Sequence, residues 1–398
     1  MTQLNFNLDM DKLTEEILGS NLNSVTKGLA VAVFNAYMEA ERDAHVQAKN
    51  RERNAERQDM RNGYYQRDYK LPIGRITLKV PRTRSGEFST ELFERYQRMD
   101  QSLVLTLVES VISGVSTRKV TKIVETLCGE AVSKSFVSDV MQRIDPDVKA
   151  FRERPLHLKT YDYVYVDAMY IKVRENRRVV SKAVYIAQGV TSEHYREILG
   201  FMVSGSESTE NWAEFFQDLR ERGLTKPKLI ISDAHAGLKA AIKQEFTDCP
   251  WQRCTFHFLQ NMFRVMPRKN CEEERKMLKL IFRAETVKHA RVRKDQFIEM
   301  VKDNPKYDKV VEKLEEGFED AIQFMFEPED YYVSLRTSNS LERVNREIRR
   351  REKVIGIFPN LESAVRLIGS VIIDIHETFQ GSKRKLFQRN DLDKEGSK

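Results

Sequence analysis

The hexapeptide Tyr-Val-Asp-Ala-Met-Tyr, residues 165–170, places a single carboxylate, Asp167, within an otherwise apolar run. Residues 161–173 around it alternate in the manner of a β-strand, and two more strand-like runs, 179–190 and 196–203, follow at short intervals. The sequence therefore predicts three neighbouring strands, with a charge in the first of them.

A helix and a short fourth strand are predicted next. The apolar face of the helix consists of four large side chains, Trp212, Phe215, Phe216 and Leu219. Gly223 ends the helix before the apolar strand 229–231. Three strands, a helix and a further strand is the order of a ribonuclease H-like sheet, so we expect a mixed α/β domain here.

Two aspartates stand out in this domain. Asp167 requires an explanation because an unpaired carboxylate in an apolar strand is costly, so it is either held in a structural salt bridge or bound to a cation. Asp233 closes the strand 229–231 and precedes a helix, the position at which α/β sheets hold ligand-binding groups. Its Ser-Asp-Ala-His turn would equally suit an aspartate that caps the helix.

A third carboxylate, Glu342, lies on a helix predicted from Asn339 to about Lys353. Seven Lys or Arg and three Glu occupy residues 336–353. A surface ion pair with Arg346 is the ordinary explanation for such a Glu, but the excess of cations favours a helix that faces DNA phosphates. The predicted DNA contacts on this helix are Arg343, Arg346, Arg349, Arg350, Arg351 and Lys353.

Three carboxylates gathered in one site have a specific chemical use. Hard divalent cations such as Mg²⁺ prefer oxygen ligands, and two ions about 3.5–4 Å apart activate a nucleophile and stabilise the leaving oxygen of a phosphodiester. The sequence contains no Gly-rich nucleotide-binding loop and no Gly-x-Ser-x-Gly motif that would indicate another chemistry.

Several blocks of the sequence resemble the mutator-type transposases of bacterial insertion sequences. They include the hexapeptide around Asp167, Ile-Ser-Asp-Ala-His-Ala-Gly-Leu-Lys, Trp-Gln-Arg-Cys-Thr-Phe-His-Phe and the Glu342 helix. Further blocks at 92–98, 111–120 and 173–184 follow in the same order, so the resemblance covers roughly residues 60–375. It implies a ribonuclease H-like catalytic domain interrupted by an all-helical insertion, with Asp167, Asp233 and Glu342 as catalytic residues that hold two Mg²⁺ or Mn²⁺ ions.

The resemblance also draws attention to a Cys-x-x-His element, Cys254 and His257. Three interpretations are open: an auxiliary role near the scissile phosphate, a buried Cys with a packing His, and a zinc site. A structural zinc site requires four ligands, and the sequence supplies no second pair. Asn339 is expected to cap the Glu342 helix and Asn345 to support the acid.

The domain organisation follows from the changes in pattern. We predict a helical and small β region for DNA-end binding at 1–100, with helix as far as about residue 60. A helix-turn-helix-like region follows at 101–150, with Arg118, Lys119 and Lys134 as DNA contacts, although two ordinary packed helices would give the same pattern. The remaining predicted segments are the catalytic core at 158–257, an α-helical insertion at 258–335, closing helices at 336–380 and a frayed polar tail at 381–398. The last closing helix has a predicted apolar stripe formed by Leu361, Val365, Ile368, Ile372, Ile375 and Phe379.

Composition sets the remaining expectations. The 398 residues carry a formal net charge of +7, which leans toward a polyanionic partner without deciding it. Four unevenly spaced cysteines indicate a reducing compartment, and neither a secretory signal nor a membrane span is apparent, so we expect a cytoplasmic, nucleoid-associated protein.

The functional hypothesis is a transposase that binds the terminal inverted repeats of its element and catalyses DNA cleavage and strand transfer. It would act on double-stranded DNA as a homodimer or higher homo-oligomer. Two rival hypotheses are a catalytically silent DNA-binding regulator and a structure-selective nuclease that hydrolyses DNA without joining it. Dependence on divalent cations separates the first rival, and a joining assay with pre-cut ends separates the second.

Overall fold

The computed structural model describes residues 22–50, 52, 55–71, 73–93, 101–128 and 133–387. The chain divides into two compact units, residues 1–143 and 144–398. The second unit begins earlier than the catalytic core predicted from residue 158. No helix among the described residues has the length and apolar character needed to cross a membrane.

The first unit is built from one long helix, a hairpin and three shorter helices. Helix α1 (Leu22–Val46) packs on the antiparallel pair β1 (Arg61–Leu71) and β2 (Gly74–Thr83), in which Tyr65 pairs with Val80 and Tyr69 with Ile76. Alternation along β2 buries Ile76, Leu78 and Val80 against Met38 of the helix. The helix ends at Val46, so the prediction of helix to about residue 60 was wrong. Residues 1–21 lie outside the described part.

Helices α2 (Gln101–Ile112), α3 (Thr117–Cys128) and α4 (Lys134–Gln142) follow. Ser116 accepts a hydrogen bond from the Lys119 amide at 3.3 Å, and Ser133 caps α4 by accepting from the Phe136 amide at 3.0 Å. Ile123 of α3 is exposed, whereas Val120 and Val124 are buried.

The second unit contains a mixed five-stranded sheet. Its strands are β3 (Tyr161–Glu175), β4 (Arg178–Thr191), β5 (Arg196–Ser204), β6 (Leu229–Ser232) and β7 (Trp251–Arg253), in the order β5-β4-β3-β6-β7. The first three are antiparallel, whereas β6 and β7 run parallel to β3. The four predicted strands are confirmed, but the three-residue β7 was missed because so short a run gives no periodic pattern.

Helices cover one face of the sheet. Helix α5 (Asp145–Glu153) precedes β3, while α6 (Thr209–Glu221) and α7 (Ala236–Glu245) flank β6. All four predicted aromatic and aliphatic side chains of α6 are buried, and they pack in one cluster with Val164 and Val166 of β3. Since side chains alternate along a strand, Tyr163, Tyr165 and Asp167 point to the opposite face.

An all-helical segment follows β7 and contacts that opposite face. Tyr163 donates a hydrogen bond to Glu327 at 2.6 Å, and Tyr165 donates to the Ser334 carbonyl at 3.1 Å. The helices are α8 (Thr255–Val265), α9 (Glu272–Ile281), α10 (Val287–Val301), α11 (Asp308–Ala321), α12 (Tyr332–Leu335), α13 (Asn339–Ile355) and α14 (Leu361–Gly381), with short 3₁₀ turns at Pro305–Tyr307, Gln323–Phe326 and Glu329–Tyr331.

Asn360 caps the start of helix α14, because it forms a reciprocal capping box with Ser363. Its buried face is rotated from the predicted stripe and consists mainly of Ala364, Leu367, Ile368, Val371 and Ile372. The rotation follows from burial of a polar side chain, Arg366, whose guanidinium forms two 2.7 Å hydrogen bonds to Asp145 of α5.

The chain beyond α14 does not fray as predicted, as far as it is described. Phe387 is buried and stacks on Tyr331 with ring centroids 4.1 Å apart, and its ring edge meets Tyr163 and His194. Residues 382–387 are therefore anchored to the sheet.

We expect Gly369→Ala to lower the free energy of unfolding by about 1–3 kcal/mol relative to Gly381→Ala, a typical cost of overpacking. A Cβ at Gly369 would lie 2.6 Å from Val148 and 3.0 Å from Phe201, whereas Gly381 has open space around it. Both changes raise helix propensity in α14, so urea denaturation of the two variants isolates the steric effect. Equal stabilities would contradict the described packing of α14 on α5 and β5.

Candidate functional site

Strand register brings Asp167 and Asp233 side by side. The parallel pairing sets Tyr163 opposite Leu229 and Tyr165 opposite Ile231, and the same offset carried two residues further places Asp167 opposite Asp233. Asp233 follows β6 directly, at the carboxyl end of the strand. The two carboxylates therefore meet at the edge where parallel sheets hold ligands.

Cys254, which follows the next strand β7, lies at the same level of the sheet as Asp233. Ile231 pairs with Gln252 and Ser232 with Arg253, so Cys254 lies one step beyond β7 as Asp233 lies one step beyond β6. The Cys254 amide donates to the Ser232 carbonyl at 2.8 Å. His257 stands one helical turn later in α8 and contacts Asp233 through Nδ1. One ligand atom each from Asp233, Cys254 and His257 lies within 4.8 Å of the others.

The Asp167 carboxylate is held by two hydrogen bonds. Its Oδ1 accepts from the Ala168 amide at 2.8 Å, and its Oδ2 accepts from Asn345 Nδ2 at 2.7 Å. Burial and the neighbouring Asp233 charge raise the pKa of Asp167 to about 7, against the lowering effect of these bonds and of His257. Near pH 7 the Asp167 carboxylate is therefore only about half ionised, because its burial and the Asp233 charge disfavour its negative form.

His257 is polarised in the opposite sense. The Asp233 carboxylate, which contacts Nδ1, raises the pKa of His257 to about 10, and Cys254 adds to the effect. The imidazole therefore carries a positive charge at neutral pH and partly neutralises Asp233. Cys254 is fully buried, and its Sγ accepts from the Ser338 hydroxyl at 3.4 Å.

Glu342 lies in the first turn of α13 and is partly exposed. Three residues further along the same helix, Asn345 reaches Asp167, and residues three apart share a helix face. The helix is held near the sheet by Gln188 of β4, whose Nε2 donates to Ser340 at 2.6 Å. Glu342 therefore lies on the same helix face as Asn345, the residue that contacts Asp167.

The simple explanations for the three carboxylates do not hold among the described residues. Asp167 forms no salt bridge there, and Glu342 forms none with Arg346. His235, not Asp233, occupies the N-cap position of α7, and no side chain caps that helix. Asn339 is the first residue of α13 rather than its cap, which is Ser338, so the predicted Asn339 cap was wrong.

Most of the predicted basic residues are exposed, although Arg350 pairs with Glu347 at 3.3 Å. On α13, Arg343, Arg346, Arg349, Arg350 and Lys353 are exposed. Arg351 differs because it is buried and its guanidinium pairs with Glu347. In the first unit, Arg118 and Lys119 are exposed on α3. Lys134 begins α4, but its side chain lies outside the described part of the chain.

Asn345 is the site residue whose role the sequence did not reveal. The sequence predicted support for the acid on its own helix, whereas the structure shows a hydrogen bond to Asp167, 178 positions earlier. The one available signal was its spacing of three from Glu342, which predicts a shared helix face but not the strand that this face meets.

Comparison with known proteins identifies the family. The family described as "Transposase, Mutator family" matches residues 1–382. The transposase of insertion sequence element IS256 in transposon Tn4001 of Staphylococcus aureus is 47% identical over 97% of this chain and 98% of its own length. The transposases of ISRM5 from Rhizobium meliloti and IS1081 from Mycobacterium tuberculosis are 40% and 36% identical, covering 93% and 95% of this chain and 92% and 91% of their own. The chain belongs to the Mutator family of transposases and is a DNA-processing enzyme.

We expect Asp167→Asn to be more stable than the native protein at pH 8 in EDTA, with the difference shrinking at pH 5. Because the folded-state pKa of Asp167 is raised to about 7, its neutral form stabilises the fold at low pH, and this stability is lost as the pH rises toward 7. One pKa unit corresponds to about 1.4 kcal/mol. Urea denaturation at the two pH values measures the difference.

The matched control is Asp162→Asn on the same strand. The Asp162 carboxylate pairs with Lys228 at 3.0 Å, so its loss should destabilise the protein slightly at both pH values. A gain from Asp167→Asn that is equal at pH 5 and pH 8 would show that burial of the charge is not its cause.

Proposed function

We propose that this transposase binds the terminal inverted repeats of its insertion sequence and cleaves and joins DNA at a site formed by Asp167, Asp233 and Glu342. The observation that carries the proposal is the pair of aspartates on the neighbouring parallel strands β3 and β6, of which Asp167 is partly buried and forms no salt bridge with a described residue. The strand order β5-β4-β3-β6-β7, three antiparallel strands followed by two parallel ones, supports a ribonuclease H-like core. The helices after β7 then represent an insertion that precedes α13.

The side chains present suit two hard divalent cations, Mg²⁺ or Mn²⁺. All three proposed ligands offer carboxylate oxygens, which such ions prefer. Among the described residues, the Asn345 amide oxygen beside Asp167 is buried and accepts no hydrogen bond. Excess negative charge and an unused oxygen acceptor are both features that a bound cation would satisfy. When bound, the ions supply activation of the attacking oxygen and stabilisation of the leaving oxygen of the phosphodiester.

The residues of the chain divide the remaining work. Asn345 fixes the orientation of the Asp167 carboxylate through a charge-assisted hydrogen bond, and Ala168 holds its other oxygen. Asp233 is held in place by its contact with His257. We assign Cys254 and His257 an auxiliary role near the scissile phosphate, in which the charged imidazole orients Asp233 and offers a proton close to the reacting oxygens.

Basic residues account for the DNA contacts. The exposed cations of α13 follow Glu342 directly along the helix, so a strand that enters the site runs past them. Arg118, Lys119 and Lys134 on the paired helices α3 and α4 are proposed to contact the inverted repeats. Two element ends must be processed together, so we propose a homodimer or higher homo-oligomer.

Neither rival function is favoured by a specific observation. A silent DNA-binding regulator does not require Asp167 and Asp233 to be aligned across neighbouring strands. A nuclease restricted to hydrolysis would have the same site residues as a transposase. Joining of pre-cut ends distinguishes the transposase from the nuclease.

We expect Asp167→Asn to lower both end cleavage and strand joining with Mg²⁺ by more than about 100-fold. Loss of a residue that only supports a metal ligand costs up to about 100-fold, and Asp167 is proposed as a ligand itself. The assay uses duplexes that carry the inverted repeat, pre-cut for the joining reaction. Asp162→Asn is the control and should retain both activities. Retained activity in Asp167→Asn would remove Asp167 from the site.

Glu342 is tested by comparison with Glu352 on the same helix. We expect Glu342→Gln to abolish cleavage and to reduce the rise in melting temperature that Mg²⁺ produces in the native protein, because one oxygen ligand is lost. Glu352→Gln, which keeps all three proposed ligands, should preserve both properties. The same Mg²⁺-dependent rise in both variants would exclude Glu342 as a metal ligand.

A further inference from the structure

Arg196, at the start of β5, is a half-buried cation that pairs with no acidic side chain in the part of the chain that the structure describes. Its guanidinium lies 4.7 Å from the ring centroid of Phe379, and its buried Nε donates to no described residue. Burial lowers the pKa of Arg196, and the charges of Arg384 and Arg343 lower it further. An uncompensated buried cation destabilises a fold, so its presence requires an explanation.

Several other arginines of this unit do have partners. Arg366 forms two hydrogen bonds to Asp145, and Arg222 pairs with Asp218 through Nε at 3.4 Å and bonds the Leu199 carbonyl. Arg154 donates to the Phe151 carbonyl at 2.7 Å. Arg196 has no such partner among the described residues, so an anion from outside the chain would supply its counter-charge.

Arg384 reaches Arg196 from the C-terminal segment. The Leu386 amide donates to the His194 carbonyl at 2.8 Å, and Lys385 lies over the Tyr195 ring at 5.5 Å. Together with the packing of Phe387, these contacts fix residues 384–387 beside the residues that lead into β5. Arg384 is exposed and forms no ion pair with any described residue.

Arg343 is the third arginine of the group and lies on a third segment, helix α13. It directly follows Glu342 in α13, whose first turn is held by the hydrogen bond between Ser340 and Gln188. Gln188 pairs across the sheet with Ile198, two residues beyond Arg196. Arg343 is exposed and, within the described chain, has no ion-pair partner. Three arginines from three separate segments thus lie close enough for their charges to act on one another.

A cleft of about 640 Å³ adjoins this arginine cluster. Arg196, Lys159 and Lys383 contribute basic groups to its wall. Of the two acids that line it, Glu193 is exposed, while Glu197 already accepts hydrogen bonds from Tyr161 at 2.9 Å and from Lys159. The cleft therefore leaves the Arg196 charge available to an anion.

We propose that Arg196, Arg343 and Arg384 bind a backbone phosphate of the DNA strand that enters the carboxylate site. The proposal rests on the proposed function, because that function brings a DNA strand to Glu342. The guanidinium group can donate two parallel hydrogen bonds to phosphate oxygens. A phosphate would therefore give half-buried Arg196 the charged partner that it lacks among the described residues. The three residues act as positioning residues, since they hold the strand and not the reacting atoms.

The test measures the affinity of metal-free protein, in EDTA, for a fluorescent inverted-repeat duplex between about 50 and 200 mM salt. We expect Arg196→Gln to weaken binding about tenfold and to make the slope of log affinity against log salt shallower by about 0.9, the loss of one phosphate contact. Arg384→Gln, at an exposed position, should change the slope in the same direction without affecting the fold. Arg196→Lys should recover part of the affinity.

Arg366→Gln is the matched control, because Arg366 is a buried arginine that already bonds Asp145. It should lower the melting temperature and leave the salt slope unchanged. If Arg196→Gln behaves like Arg366→Gln, its role is structural and the proposal is overturned while the proposed function stands. If the native protein shows no salt-dependent binding to DNA, the proposed function and this proposal are overturned together.

Discussion

The parallel pairing of β3 with β6 is the constraint on which the site depends. It carries Asp167 and Asp233 to the same level of the sheet, although 65 residues separate them along the chain. A slip of one residue would turn every side chain of β6 to the other face of the sheet. The apolar residues Leu229, Ile230 and Ile231 are all buried, so β6 is covered on both faces of the sheet.

Much of the fold could be predicted because the second unit is built from long, regular elements. Strands β3 to β5 and helix α6 have periodic patterns whose apolar positions are the buried ones. The errors have local causes. Helix α1 ends at Val46 although the charged run continues, and charge alone does not distinguish a solvated helix from a loop. The face of α14 was misjudged because Arg366 is buried by a partner, Asp145, that is 221 positions away.

The site was only partly predictable for a related reason. Asp167 and Asp233 could be recognised because a carboxylate in or after an apolar strand contradicts its surroundings. Glu342 lies in a helix rich in charged residues, so its own charge does not stand out from its neighbours. Its prediction depended on the resemblance to mutator-type transposases. Asn345, Arg196 and Arg384 have meaning only through residues that the fold brings to them. Arg351 shows the converse, since its sequence context is that of the exposed arginines yet its side chain is buried against Glu347.

The order in which the site is completed also bears on synthesis of the chain. The strands that carry Asp167 and Asp233 leave the ribosome well before residues 327–345, which supply the hydrogen bonds to Tyr163, Tyr165 and Asp167. Phe387 follows later still and closes the aromatic cluster with Tyr331. A nascent or prematurely ended chain therefore has the aspartates but lacks Asn345 and Glu342, so the geometry of the site is set only when nearly the whole polypeptide has been made.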